Sequence, residues 1–280
     1  MKKIGFIDYY LDEWHANNYP EFIRNEAGDE FTVFGAWAKI DSPIGGMTNK
    51  EWSEKYSIPL YDTVEDLIDA CDYLIVLSPD NPEMHEELCK IPLSSGKNTY
   101  VDKTFATDAA MAKRIFENAD KHSTKCYSSS ALNYAIEYQH INTDNVERIA
   151  SMGPGTYEMY SIHQIEPIVK LMGIGAKRVM STGTDKFPAS IIEYEDGRIA
   201  SIANFPAGSP FVMNIGYKDS STEFVKIEED FFAQCIKNML KFFRTGEIPV
   251  EHERTVEVIA IRAAGIKALS KPFEWVDIEK

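Results

Sequence analysis

The chain of 280 residues is 44% hydrophobic and 12% aromatic, enough apolar material for about two ordinary domains with full cores. Its formal charge of -15 excludes the clustered Lys and Arg that nucleic acid and anionic membrane surfaces require, and points to a small-molecule partner. No apolar run approaches the roughly 18 residues of a membrane span, and the short run after Lys2 and Lys3 is broken at Asp8, so the sequence reads as that of a cytoplasmic protein.

In chain order, apolar runs alternate with helical patterns through the first half. A strand at 3–8 leads to a helix ending near Gly28, then come 31–38, a helix around 49–56, and segments at 63–70, 72–78, 83–90, 98–101 and 108–121. Such alternation predicts a parallel sheet with helices on both faces. Pro20 places the start of the first helix near Asn18 as N-cap, or kinks it. The run Cys71 to Ser78 is almost continuously apolar, as a central strand buried on both faces is. Pro79-Asp80-Asn81-Pro82 then puts a loop at the carboxyl end of that strand, where open α/β sheets bind ligands.

From about residue 127 the pattern changes. A helix at 161–172 and strands at 146–152, 177–182, 189–194, 198–204, 210–216 and 222–227 predict an α+β half with an antiparallel sheet. Glu195-Asp196-Gly197-Arg198 is a hairpin signal, Asp-Gly supplying the positive φ of a tight turn. Helices at 229–244 and 252–269 close the chain, separated by Gly246 and Pro249. The change of pattern divides the chain into domains 1–127 and 128–280. Gly45-Gly46 and Gly153-Pro154-Gly155 read as turns. Cys71, Cys89, Cys126 and Cys235 are scattered without a C-x-x-C pair, which suits reduced core thiols. The His and acidic residues lack the dense spacing of a metal site, so none is assigned.

Three segments together resemble the Gfo/Idh/MocA oxidoreductase family. Asp72 to Asn81, followed by His85, is similar to the family's strand ending in a T-P-N type loop with a histidine shortly after. Gly96-Lys97-Asn98-Thr99-Tyr100-Val101-Asp102-Lys103-Thr104 resembles its G-K-x-V-x-x-E-K-P motif, and Ser161 to Gly173 resembles the helix whose histidine faces the substrate. Gly246 to Val250, followed by Glu257-Val258-Ile259, is similar to the family's closing helix. The resemblance implies an N-terminal Rossmann-like doubly wound parallel sheet plus a C-terminal α+β domain with an open, mainly antiparallel sheet. It further implies an NAD or NADP cofactor, hydride transfer to or from a secondary alcohol or carbonyl of a sugar or polyol, and a homodimer.

The family's roles fall residue by residue. The resemblance implies that Lys103 reaches the nicotinamide region and the substrate hydroxyl; Asp102 stands where the family has Glu, and Thr104 replaces a proline. His163 is the candidate acid and base. Glu166, one turn on, is the candidate to orient its ring, because i and i+3 share a face. The family's aspartate four positions before the histidine is Met159 here. Ser78, Pro79, Asp80 and Asn81 line the nicotinamide side, and Asp41, after the second strand, is the candidate for the ribose.

The departure lies after the first strand. Asp8 stands at the first glycine of the family's dinucleotide loop, Tyr10 at the second and Glu13 near the third. The second glycine is the one whose missing side chain admits the pyrophosphate. A cofactor would therefore be held by an altered loop using Asp8, Tyr9, Tyr10 and His15. Two rivals stand beside the dehydrogenase: a non-catalytic small-ligand-binding or regulatory protein that has lost the dinucleotide, and a non-redox lyase or hydrolase using His163 with Glu166.

Overall fold

A computed structural model describes residues 1–205 and 208–280. The chain forms two compact units, one of residues 1–106, 111–129 and 236–251, the other of residues 107–110, 130–235 and 252–280.

The first unit carries β1 (Lys2–Asp8), α1 (Trp14–Ala27), β2 (Phe31–Ala38), α2 (Asn49–Tyr56), α3 (Val64–Ala70), β3 (Tyr73–Val76), α4 (His85–Cys89), β4 (Thr99–Val101), most of α5 (Ala109–Lys121) and β5 (Cys126–Ser128). Among the described residues its strands form a five-stranded parallel sheet in the order β2-β1-β3-β4-β5. An isolated parallel bridge from Ala36 to Leu60 marks where a further strand would flank β2, which completes the Rossmann order with one strand reduced to a single pairing. β3 is central, as its apolar run predicts, and Leu74, Ile75 and Val76 are wholly buried beside Ile4, Phe6 and Ile7 of β1. Strand order reverses between β1 and β3. The carboxyl ends of these strands, at Asp8 and at residues 77–81, therefore open on the crevice where such sheets take ligands.

Helix α1 does not start late. It begins at Trp14 with Glu13 as N-cap, and Pro20 lies inside it. The Glu13 carboxylate accepts from the His15 and Ala16 N–H groups, an anchor that outweighs the start signal at Asn18. Asn18 instead spends its amide on the Trp14 carbonyl at 2.6 Å.

The second unit contains β6 (Val146–Pro154), α6 (Tyr157–Met172), β7 (Ala176–Ser181), β8 (Ala189–Tyr194), β9 (Ile199–Phe205), β10 (Val212–Tyr217), β11 (Thr222–Lys226), the start of α7 (Phe231–Thr245), α8 (His252–Leu269) and β12 (Trp275–Asp277). Among the described residues the sheet has seven strands in the order β11-β10-β6-β9-β8-β7-β12, antiparallel except for the parallel pair β6 and β9. The Asp196-Gly197 turn joins β8 to β9 with Gly197 at φ 88°. Helix α6 starts four residues earlier than its apolar period suggests, because the Thr156 hydroxyl caps it at the Met159 N–H. Its apolar face, Ile162, Ile165, Ile168 and Val169, is buried against the sheet and α8. All four cysteines are buried. No helix among the described residues is long and apolar enough to cross a membrane.

Residues 236–251 return to the first unit from the far end of the sequence. Phe243, 1% exposed, stacks on Tyr73 with ring centroids 4.8 Å apart and also meets Phe31, while Phe242 stands edge-on to Tyr127 at 4.9 Å. Truncating a buried Phe of this kind costs about 3–5 kcal/mol. Phe243→Ala is expected to lose that much stability in urea unfolding, and a loss below about 1 kcal/mol would show that α7 does not close this core.

Candidate functional site

The crevice end of the first unit is assembled from the loop after β1. The Tyr9 N–H donates to Asp8 Oδ1 at 2.7 Å, the Leu11 N–H to Asn49 Oδ1 at 3.1 Å and the Glu13 N–H to the Leu11 carbonyl at 2.8 Å. Those of His15, at 2.7 Å, and Ala16 end on the Glu13 carboxylate. Asp12 pins the loop from its other side, accepting from the Met47 N–H at 2.8 Å and from Asn17 Nδ2 at 3.1 Å. Tyr10 and Leu11 are buried by this folding. Five of the loop's backbone donors, those of Tyr9, Leu11, Glu13, His15 and Ala16, thus have acceptors within the chain.

Behind the loop sits a buried ionic cluster. His15 Nδ1 lies 3.1 Å from Glu13 Oε2, and its Nε2 lies 3.8 Å from Asp102 Oδ2. Burial disfavours the imidazolium, but the Asp102 carboxylate and the Glu13 hydrogen bond outweigh it and raise the His15 pKa above its ordinary value. Asp8, 1% exposed, is held well above the usual carboxylate range by burial first, then by the charges of Glu13 and Asp102. Its Oδ2 and the Oδ2 of Asp102 hydrogen-bond to no described residue, although Tyr100 Oη reaches Asp102 Oδ1 at 3.2 Å. Lys103, only 8% exposed, donates to the Pro79 carbonyl at 2.9 Å, so the two family motifs meet in this unit.

The remaining predicted residues divide. Ser78, at φ 85°, closes a turn with Asn81 through its hydroxyl, and Thr104 holds φ 57° directly after Lys103. Left-handed backbone at such residues costs about 1–2 kcal/mol and collects at ligand-binding positions. Asp80 is exposed, and its charge helps to raise the pKa of Tyr10 after burial. Asn81 turns its amide to Glu83. Asp41, exposed, accepts from the Asn49 N–H at 2.7 Å through Oδ1. His85 is wholly buried between the carbonyls of Leu77 and Phe105, a staple for the loop rather than a ligand. Among the described residues no group of three or more His, Cys, Asp or Glu is arranged to hold a metal.

In the second unit His163 projects from α6, half-buried, between the edges of Tyr160 and Phe211. Its Nδ1 is 2.6 Å from the hydroxyl of Ser130, a residue the motifs did not single out. Glu166, 5% exposed, accepts from the backbone N–H of Ser130. The expected orienting role thus runs through that peptide, with the Ser130 hydroxyl as the group on the ring. The same hydroxyl accepts from the Leu132 N–H at 3.2 Å and opens a short 3-10 turn. One turn beyond Glu166, Lys170 donates to the Asn133 carbonyl at 2.8 Å and clamps that turn to α6. Ser130 lies two residues after the three-residue β5, a strand too short to be read from the sequence.

The linkage signs follow from the cluster. A histidine whose folded pKa is raised adds stability that is fully present below the unfolded value near 6.5 and is lost as pH rises through the folded one. Asp8 acts in the same direction from about pH 3.9 upward, since folding favours its protonated form. NMR titration is expected to place the His15 imidazole above about 6.5 and to bring it down in Glu13→Gln. Unfolding free energy should fall over the window above pH 6.5, and His15→Asn should flatten that slope. A His15 ring titrating below about 6.5 would contradict the arrangement.

With the geometry in place, comparison with known proteins is informative. Residues 44–130, which include Asp102 and Lys103, match the model of a family described as oxidoreductase family, NAD-binding Rossmann fold. A search of curated proteins found no match. Among solved structures, scyllo-inositol dehydrogenase from Lactobacillus casei with bound NAD(H) and scyllo-inositol superimposes with a TM-score of 0.78 at 12% identity, over 99% of each chain. The UDP-N-acetylglucosamine 3-dehydrogenase GnnA from Acidithiobacillus ferrooxidans gives 0.75 at 13% identity, over 97% of each. GenD2 from gentamicin A biosynthesis, in complex with NAD, gives 0.79 at 11% identity, over 100% of this chain and 97% of that one. At such identities the likeness is one of fold.

The dinucleotide implied by this fold rests its diphosphate on the N-terminus of the first helix. The residues present do not fit it. The N–H groups of His15 and Ala16 are taken by Glu13, Tyr10 stands where a glycine would make room, and Asp8 and Asp102 add two further buried carboxyl groups. A phosphate charge about 5 Å from one carboxylate would cost roughly 3 kcal/mol at an effective dielectric near 20. The chain has the fold of the Gfo/Idh/MocA oxidoreductases and matches their family model over residues 44–130, in agreement with the motifs read from its sequence.

Proposed function

We propose that the chain binds a small polyhydroxylated molecule of the sugar or cyclic-polyol class in its ketone form, and that His163 takes the proton from the carbon beside the carbonyl, the electron pair passing to the enolate oxygen, and returns a proton to that carbon. The observation that carries this reading is the 2.6 Å hydrogen bond between Ser130 Oγ and His163 Nδ1. Ser130 is itself fixed, with its N–H on Glu166 and its oxygen accepting from Leu132. In this reading Nδ1 donates to the serine oxygen, which leaves the lone pair on Nε2 and gives proton exchange with a ligand to Nε2. Glu166 is a positioning residue in this reading, because it reaches the ring only through the Ser130 peptide. In the first unit, taken by itself, the buried stem of Lys103 and its hydrogen bond to Pro79 restrict where its ammonium can stand. The solved neighbours, an inositol dehydrogenase and a nucleotide-sugar dehydrogenase among them, support the ligand class.

A second reading, dehydrogenation with NAD or NADP, is favoured by the family match over residues 44–130. Both readings give His163 the proton.

The proton step can be followed without a redox partner. Ketohexoses and inosose-type ketones incubated with the protein in D2O are expected to take up deuterium at the carbon beside the carbonyl, read by NMR. His163→Gln should slow uptake by about 10²–10⁴-fold, with Ser130→Ala slowing it less. Uptake at the wild-type rate in folded His163→Gln would remove His163 from the chemistry.

A further inference from the structure

The first helix carries its own anion. We infer that this chain does not take NAD or NADP through the N-terminus of α1, because Glu13 occupies that position as a built-in ligand. The inference is independent of the role given to His163, and it bears on the dehydrogenase reading alone.

Three observations carry it. The first is the inventory of donors: the N–H groups of Tyr9, Leu11, Glu13, His15 and Ala16 each have an acceptor inside the chain, and two of those acceptors are the oxygens of the Glu13 carboxylate. A diphosphate arriving at α1 would find the His15 and Ala16 N–H groups already bonded, by a group of its own charge.

The second is the surrounding charge. Glu13 and Asp102 stand behind the loop, and the basic side chains beside them are engaged, His15 with Glu13 and Lys103 with the Pro79 carbonyl. Each ionised carboxylate within about 5 Å would lower the affinity for a phosphate charge on the order of a hundredfold.

The third is that the loop is tied down. For Glu13 to swing away, α1 must lose its cap, while Asp12 holds Met47 and Asn17, and Asn49 holds Leu11 and the Ile40 carbonyl. Asp41, the candidate for the ribose, is enlisted in the same set of ties through the Asn49 N–H. Leu11 and Tyr10 are packed inside, so the segment has no open glycine-like conformation close at hand.

The test is a titration of the full-length protein with NADH and with NADPH, followed by nicotinamide fluorescence. Calorimetry with ADP-ribose, which carries the diphosphate without the nicotinamide, accompanies it. The protein used must show a single cooperative unfolding transition. No saturation by any of the three up to about 1 mM is expected. Saturable binding of any one of them with a midpoint below about 1 mM would overturn the inference.

Discussion

Every α-helix begins with backbone N–H groups that its own turns cannot satisfy, and in α1 the group that satisfies them is Glu13. The carboxylate at that helix end is favourable twice, through its hydrogen bonds and through the helix dipole. Much of the first unit's crevice follows from this choice. Because Glu13 turns back onto His15 and Ala16, the loop before it must be compact, and Tyr10 and Leu11 are driven inward. Because Glu13 is buried, it needs a counter-charge, and His15 supplies one at 3.1 Å. His15 and Asp102 also face each other, and Asp8, buried beside the Glu13 and Asp102 charges, is the member whose pKa folding raises. In a fold whose relatives include proteins with bound NAD, the position that would meet an external anion has been supplied with an internal one.

The rest of the oxidoreductase pattern has not decayed with it. The β3 loop still turns at Ser78 in a left-handed conformation, His85 still staples that loop from beneath, and Lys103 still reaches the Pro79 carbonyl. In the second unit, His163, Ser130 and Glu166 form a hydrogen-bonded chain whose middle member is wholly buried. Buried polar chains are costly when incomplete.

The architecture was legible because hydrophobic period is a strong signal. The apolar run through Leu74 and Val76 read as a central strand and is one, and the alternation at 189–194 and 199–205 gave the hairpin at Asp196-Gly197. Short strands such as β5 and β12, three residues each, leave too little period to detect. With β5 unseen, Ser130 had no structural address, and the partner of His163 was missed. Glu13 was visible as a misfit where a glycine belongs, but glutamate is a rare N-cap. Pro20 and Asn18 gave the louder signal for where α1 starts. Its true role depends on the side chain bending back by two and three residues, which spacing alone does not encode. The return of residues 236–251 to the first unit is likewise a matter of which aromatic rings Phe242 and Phe243 meet, all of them distant in sequence.

The most direct test of this account is a crystal structure of the protein grown with millimolar NADH. The account predicts the Glu13 carboxylate on the His15 N–H, at the 2.7 Å described above, with the Ala16 N–H also occupied by it. Electron density for a diphosphate on those two N–H groups, with Glu13 swung out toward solvent, would contradict it.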